Sequence, residues 1–230
     1  MRTDEDISDL KKIQSEPNQV LNFLTESERH SLLEYYKNSN EIDVKPTGPR
    51  CVYIDRDNPV LTTVLDKLKY LYGNFTVRNA QIFDTEVPHA LHIDDGKDLP
   101  KTFKAFTIPL EVKGGLDIDA KLCFFDQYYY GGPAKFFKGE TYEKKTYNSI
   151  VNDYTNIHGI TDSQFPEKLR EMFFNHLDIK WLHGLSMRSY FPWIVGSCIA
   201  FDALQIHCAS DFRKAGINSK IGLSIFTTIE

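Results

Sequence analysis

His92-Ile93-Asp94 places an imidazole and a carboxylate two residues apart, and a further histidine, His207, lies far downstream in an apolar stretch. On a β-strand, residues i and i+2 point to the same face, so His92 and Asp94 can project side by side. A fold that uses all three must bring a second strand, carrying His207, against the first. The side chains then make a two-histidine, one-carboxylate set on one face of a metal ion. Such a set leaves the opposite coordination positions open, which suits a non-haem Fe(II) centre that holds a co-substrate and O₂ together. Taken singly these residues say less. A histidine in an apolar strand is commonly a hydrogen-bonded core residue, and Asp94-Asp95-Gly96 has the composition of a turn.

The surroundings strengthen the set. Thr76-Val77-Arg78-Asn79-Ala80-Gln81-Ile82-Phe83-Asp84 has strand composition, and Phe106-Thr107-Ile108-Pro109-Leu110-Glu111-Val112 reads as another strand. From Gly196 to His207 the chain shows a turn glycine, then a buried apolar strand with a histidine near its end. In the closing stretch Asn218–Thr228, Lys220, Gly222 and Ser224 share one face, and Ile221, Leu223 and Ile225 share the other.

Taken in this order, the H-x-D strand, the glycine-to-histidine strand and a basic residue on the next strand resemble the Fe(II)/2-oxoglutarate-dependent oxygenases. The resemblance runs through roughly the last two thirds of the chain. It implies a mainly β fold with flanking α-helices, a double-stranded β-helix (jelly roll) core and an N-terminal helical segment. It implies that His92, Asp94 and His207 ligate iron and that Lys220, assisted by Ser224 or a tyrosine, binds the far carboxylate of 2-oxoglutarate. Most members use arginine for that task, so Arg213 and Arg78 are rivals to Lys220. The implied reaction consumes O₂ and 2-oxoglutarate, releases succinate and CO₂, and hydroxylates a small polar metabolite such as an amino acid or related acid. Halogenating members have a small residue where this chain has Asp94, so the carboxylate favours hydroxylation or a related oxidation such as desaturation. Three other readings are a jelly-roll binding protein without catalysis, a cupin-like metalloenzyme that needs no 2-oxoglutarate, and a hydroxylase of protein or nucleic acid, against which the acidic balance and the lack of an added recognition domain weigh. Cupins usually draw histidines from close spacings such as H-x-H, which this chain lacks.

The bulk properties fit one domain over residues 1–230, with a mostly helical part to residue 73 and a β core from 74 that carries an insert at about 113–190. At 230 residues and 41% hydrophobic, the chain can bury a substantial core. Its net charge of −5 marks no nucleic-acid surface. No apolar run approaches the ~20 residues needed to span a bilayer. The polar start Met1–Asp6 lacks the apolar segment of a signal peptide. A cytoplasmic location is therefore expected, with Cys51, Cys123, Cys198 and Cys208 as free thiols. None of the four forms a C-x-x-C pair, and alternation points Cys208 away from the metal to which His207 is turned.

Along the chain, Thr25 and Glu28 fit a capping box, followed by an apolar stripe of Leu32, Leu33 and Tyr36 that ends near Asn38. A clearer helix opens with Asp57 or Asn58 as its cap and Pro59 in the first turn. Its Val60, Leu61, Val64, Leu65, Leu68 and Leu71 recur at three and four, and Gly73 suits its end. Pro166 to about His176 predicts a further helix through Leu169, Met172 and Phe173. The stretch between the Phe106 and Cys198 strands reads as long and irregular. Its aromatic run (Phe124, Phe125, Tyr128, Tyr129, Tyr130, Phe136, Phe137) is either a wall over the substrate or a patch covering the outside of the barrel. His89, His158, His176 and His183 have no metal-ligand spacing, and His89 is out of phase with His92 on a strand.

Overall fold

The computed structural model describes residues 2–40, 43–45, 48–55, 57–94, 101–131, 140–141, 145–146 and 157–229. In chain order the elements are α1 (Asp4–Lys12), β1 (Asn18–Val20), α2 (Glu26–Asn38), β2 (Asp43–Lys45), β3 (Gly48–Tyr53), α3 (Pro59–Tyr72), β4 (Thr76–Thr85), β5 (Thr102–Lys113), β6 (Lys121–Tyr129), β7 (Glu140–Thr141), β8 (Lys145–Thr146), β9 (Ile157–His158), α4 (Glu167–Phe173), β10 (Met187–Pro192), β11 (Cys198–Asp202), β12 (Gln205–Ala209) and β13 (Ser219–Thr228).

Local chemistry sets the helices. Thr25 accepts from the Glu28 N–H while Glu28 reaches back to the Thr25 N–H, closing the capping box that starts α2. Asn58, not Asp57, caps α3 by accepting from the N–H groups of Val60 and Leu61, with Pro59 behind it. Gly73 ends α3 at φ 83°, a conformation that costs glycine little. The buried stripes Leu32, Leu33, Tyr36 and Leu61, Val64, Leu68 pack against Phe106, Ile108 and Leu110 of β5 and Ile221, Leu223 and Ile225 of β13. Replacing one of these buried leucines with alanine would cost about 2–5 kcal/mol.

Seven strands form a large antiparallel sheet in the order β1-β11-β5-β13-β4-β3-β2. A smaller sheet runs β10-β6-β12, with β9 also pairing β6. The segment His89–Asp94 continues this sheet beyond β12. His92 and His207 exchange N–H···O bonds of 3.0 Å in both directions, and the Asp94 N–H donates to the Ala203 carbonyl at 2.8 Å. Side chains from the two sheets meet between them. Ala105, Ile199 and Phe201 of the large sheet pack with Leu122 and Phe124 of the small one. The architecture is a double-stranded β-helix, with α2 and α3 outside the large sheet. α1 and α4 lie outside the small one, where Leu10 and Phe173 pack with Cys123, Phe125, Ile206 and Cys208.

The structure departs from the sequence reading in five places. The first 73 residues hold β1, β2 and β3 as well as helices, and β3 pairs with β4 inside the large sheet. The stretch read as irregular contains β6, which pairs with β10 and with β12. Phe124 there faces the interior and Phe125 the outer layer, so the aromatic run up to Tyr130 belongs to both; Phe136 and Phe137 lie outside the described residues. The apolar stretch ending at His207 is two strands. β11 belongs to the large sheet, and after Ala203 and Leu204 the chain enters the small sheet as β12, which carries His207 at its centre. α4 is shorter than expected, Glu167–Phe173, and Leu71 of α3 is 46% exposed. Among the described residues, no helix is long and apolar enough to cross a membrane.

Candidate metal centre

Three of the residues named from sequence converge. One donor atom from each of His92, Asp94 and His207 lies within 4.8 Å of the others. His92 Nε2 stands 3.5 Å from Asp94 Oδ1, and His207 Nε2 stands 3.5 Å from Asp94 Oδ2. Neighbouring donors each about 2.1 Å from a metal stand about 3 Å apart, so little movement separates this arrangement from a ligand set. Backbone pairing produces it. His92 and His207 sit directly opposite on antiparallel segments, and their ring centroids are 4.2 Å apart. Asp94, two residues after His92, projects to the same side.

The imidazoles are also oriented. His92 Nδ1–H donates to the Ala90 carbonyl at 2.7 Å, and His207 Nδ1–H donates to the Gln205 carbonyl at 2.9 Å. A carbonyl only accepts, so the proton sits on Nδ1 and both Nε2 atoms offer a lone pair toward Asp94. Burial works against the Asp94 charge, but the positive charge of the His207 ring when it carries a second proton, aided by His92 and His89, outweighs it and holds the carboxyl below its usual range, and a cation at the two Nε2 atoms would take the place of those protons. An ionised carboxylate beside two unprotonated Nε2 atoms fits a hard-to-borderline divalent cation such as Fe(II). Phe201 and Phe124 pack on the His207 ring at centroid distances of 4.7 and 5.8 Å, which makes that side of the centre apolar.

Lys220 enters the same interior. Its strand neighbours Ile221, Leu223 and Ile225 face α2 and α3, so Lys220, Gly222 and Ser224 face the small sheet. The Lys220 ammonium lies 3.7 Å from the Trp193 ring centroid and 5.2 Å from that of Phe212. Trp193 and Phe212 pack with Ala209, two residues after His207 on the same face of β12. A row of rings joins the two places: His92 to His89 at 5.5 Å, His89 to Phe83 at 6.4 Å, and Phe83 to Trp193 at 6.2 Å. Burial pushes the Lys220 ammonium down to about 7, and the nearby Cys123 and Cys208 thiols offset this only in part. Ser224 pairs in register with Gln81 and Thr107, so three polar residues cross the inner face in one line.

The two rivals lie elsewhere. Arg213 follows β12 and donates to the carbonyls of Glu86 and Asn218. Arg78 falls where the β4–β13 register shifts between Asn79 and Val77, and such bulges re-aim a side chain. Its guanidinium stacks over Phe226 and donates to the Asp94 carbonyl at 3.2 Å, which braces the metal end and not the Lys220 end. Sequence reasoning missed two residues of the interior. His89 was set aside on phase, yet its ring stands beside His92. Nothing in the sequence marked Trp193, because its place is set by the strand that ends just before it, β10. Cys123, Cys198 and Cys208 are free and buried, and Cys208 faces the outer layer as alternation requires.

No protein-family model matches the chain, and no curated protein matches it either. Solved structures do. The non-haem α-ketoglutarate-dependent epimerase SnoN from nogalamycin biosynthesis aligns at TM-score 0.52 and 12% identity, over 97% of this chain and 83% of that one. The fold is that of the Fe(II)/2-oxoglutarate-dependent oxygenases. SnoK, an α-ketoglutarate-dependent carbocyclase of nogalamycin biosynthesis, aligns at 0.50 and 13% identity, over 99% and 84%. HygX from Streptomyces hygroscopicus, solved with nickel, 2-oxoglutarate and hygromycin B, aligns at 0.52 and 12% identity, over 99% and 87%.

Proposed function

We propose that this protein is an Fe(II)- and 2-oxoglutarate-dependent oxygenase that hydroxylates a small polar molecule. The observation that carries the reading is the convergence of His92, Asp94 and His207 with both Nε2 lone pairs turned toward Asp94. Support comes from the fold and from its solved neighbours, whose complexes hold 2-oxoglutarate, a metal and a small molecule such as hygromycin B. Bound Fe(II), with 2-oxoglutarate and O₂, supplies the oxidising chemistry, and the protein supplies position and exclusion of water. His92, Asp94 and His207 would hold the metal and leave coordination positions open for ligands. Asp94 would take the place that a halide would need, which favours transfer of oxygen. Lys220 holds the far carboxylate of 2-oxoglutarate by a charge-assisted contact in a buried site. Phe124 and Phe201 keep the centre dry on the His207 side.

The test is turnover. Protein loaded anaerobically with Fe(II) should release succinate from 2-oxoglutarate after O₂ is admitted, faster when a library compound is a substrate. With ¹⁸O₂ the product should carry the label. Asp94→Ala should lose metal binding and succinate release together. Iron-loaded protein that leaves 2-oxoglutarate intact with every compound would defeat the reading.

A further inference from the structure

Trp193 is almost wholly buried, and its indole N–H has no hydrogen-bond partner among the described residues. Buried donors are normally paired, because a lost contact with water must be replaced. The ring is held firmly. Gly222 lies against it so closely that a Cβ there would stand 2.7 Å from Cζ2, and Phe83 packs edge-on at 6.2 Å. On its face sits the Lys220 ammonium, itself buried and without a carboxylate among the described residues. Two donors that the described residues leave unanswered therefore meet inside the barrel, at the far end of the ring row that starts at His92. Their common requirement is an anionic acceptor, and a carboxylate with two oxygens answers both.

We propose that the Trp193 indole N–H is a second donor to the far carboxylate of 2-oxoglutarate, beside Lys220. The proposal rests on the function argued above and adds a binding residue to it. Lys220 supplies charge, and the indole supplies direction. The carboxylate is placed by a rigid ring as well as by a flexible ammonium, and Gly222 is the residue that lets the ring stand there.

The experiment follows the indole directly. The chain has two tryptophans, so Trp181→Phe leaves one indole N–H resonance, that of Trp193. In Zn(II)-loaded, ¹⁵N-labelled protein this proton should move downfield when 2-oxoglutarate is added, and should stay in place with 2-oxobutyrate, which lacks the far carboxylate. Trp193→Phe should weaken 2-oxoglutarate binding about tenfold and leave 2-oxobutyrate binding and metal affinity unchanged. An indole resonance unmoved by bound 2-oxoglutarate overturns the proposal and leaves the function standing. So does a Trp193→Phe protein that binds 2-oxoglutarate as tightly as its parent. Metal-loaded protein that binds no 2-oxoglutarate defeats both readings. Should Trp193→Phe fail to fold, the resonance of the Trp181→Phe protein decides alone.

Discussion

Two lysines are buried to nearly the same depth in this molecule, Lys104 at 5% and Lys220 at 3% exposure, and they are treated in opposite ways. Lys104 of β5 stands directly opposite Asp202 of β11 and is ion-paired to it. Ser15 accepts from the Lys104 ammonium at 2.5 Å, while Asp202 also accepts from the Ser15 N–H at 2.9 Å and the Tyr128 hydroxyl at 3.1 Å. Lys220 of β13 has an indole face, a phenyl ring and two thiols. A buried charge is tolerated when something neutralises it. At Lys104 the protein provides the counter-ion, and the contact ties the chain before β1 to the barrel. At Lys220 no described residue provides it, which is the condition for a ligand to do so. The same residue type is therefore a fastening in one place and a receptor in the other.

The comparison can be broken at either lysine. The largest effect belongs to Asp202→Ala, which strands the Lys104 ammonium and should cost about 3–5 kcal/mol. At about 2–4 °C per kcal/mol for a chain of this size, calorimetry should show Tm falling by roughly 10 °C. A fall under about 2 °C would mean that Lys104 is no fastening. Next comes Lys220→Met, which removes a charge that no described carboxylate answers. Its Tm should hold or rise, while its Kd for 2-oxoglutarate rises on the order of a hundredfold and metal affinity stays level. A protein that melts early yet binds 2-oxoglutarate normally would reverse the two roles.

The smallest effect is the dependence on pH. Cys123 and Cys208, the nearby thiols on the outer face of β6 and β12, are pushed up by burial, Cys123 to about 12, and stay neutral near pH 7. Lys220 loses its proton near pH 7 in the ligand-free protein, against 10.5 in the unfolded chain. Above pH 7 the carboxylate must bind together with a proton, so affinity should fall by up to about tenfold per pH unit, and Lys220→Arg should flatten that slope. Stability runs the other way. Between pH 7 and 10.5 the unfolded chain binds more protons at this group, so its contribution to stability rises with pH. The difference between denaturation curves of the parent and Lys220→Met, taken across that window, measures it. A parallel pair of curves would show that Lys220 keeps an ordinary ammonium.

Helices and the convergence of His92 with Asp94 were legible in the sequence because their signals are local. Thr25 and Glu28 cap each other three residues apart, and Asn58 with Pro59 opens α3 without help from the rest of the fold. The i, i+2 spacing of His92 and Asp94 needs only an extended backbone. β6 was not legible, since both of its faces are covered and the period-two alternation that marks a strand disappears. β11 and β12 merged for the same reason: every residue in both is buried, and only the pairing partners separate them. His89 escaped because its segment is not regular strand, so the phase argument did not apply. Trp193 matters through Gly222 and Lys220, which come later in the chain and meet it only when the two sheets close.

The histidine pair has one more consequence. Each imidazole is steered by the carbonyl two residues before it, a group that belongs to every amino acid alike. Mutation can exchange a steering carboxylate or amide, but it cannot delete a main-chain carbonyl. The centre therefore keeps its instructions in backbone shape, and inheritance has only three letters of it to guard. The side chains of Ala90 and Gln205 take no part in aiming the rings, and such a site is read more readily from a trace of the chain than from a string of residues.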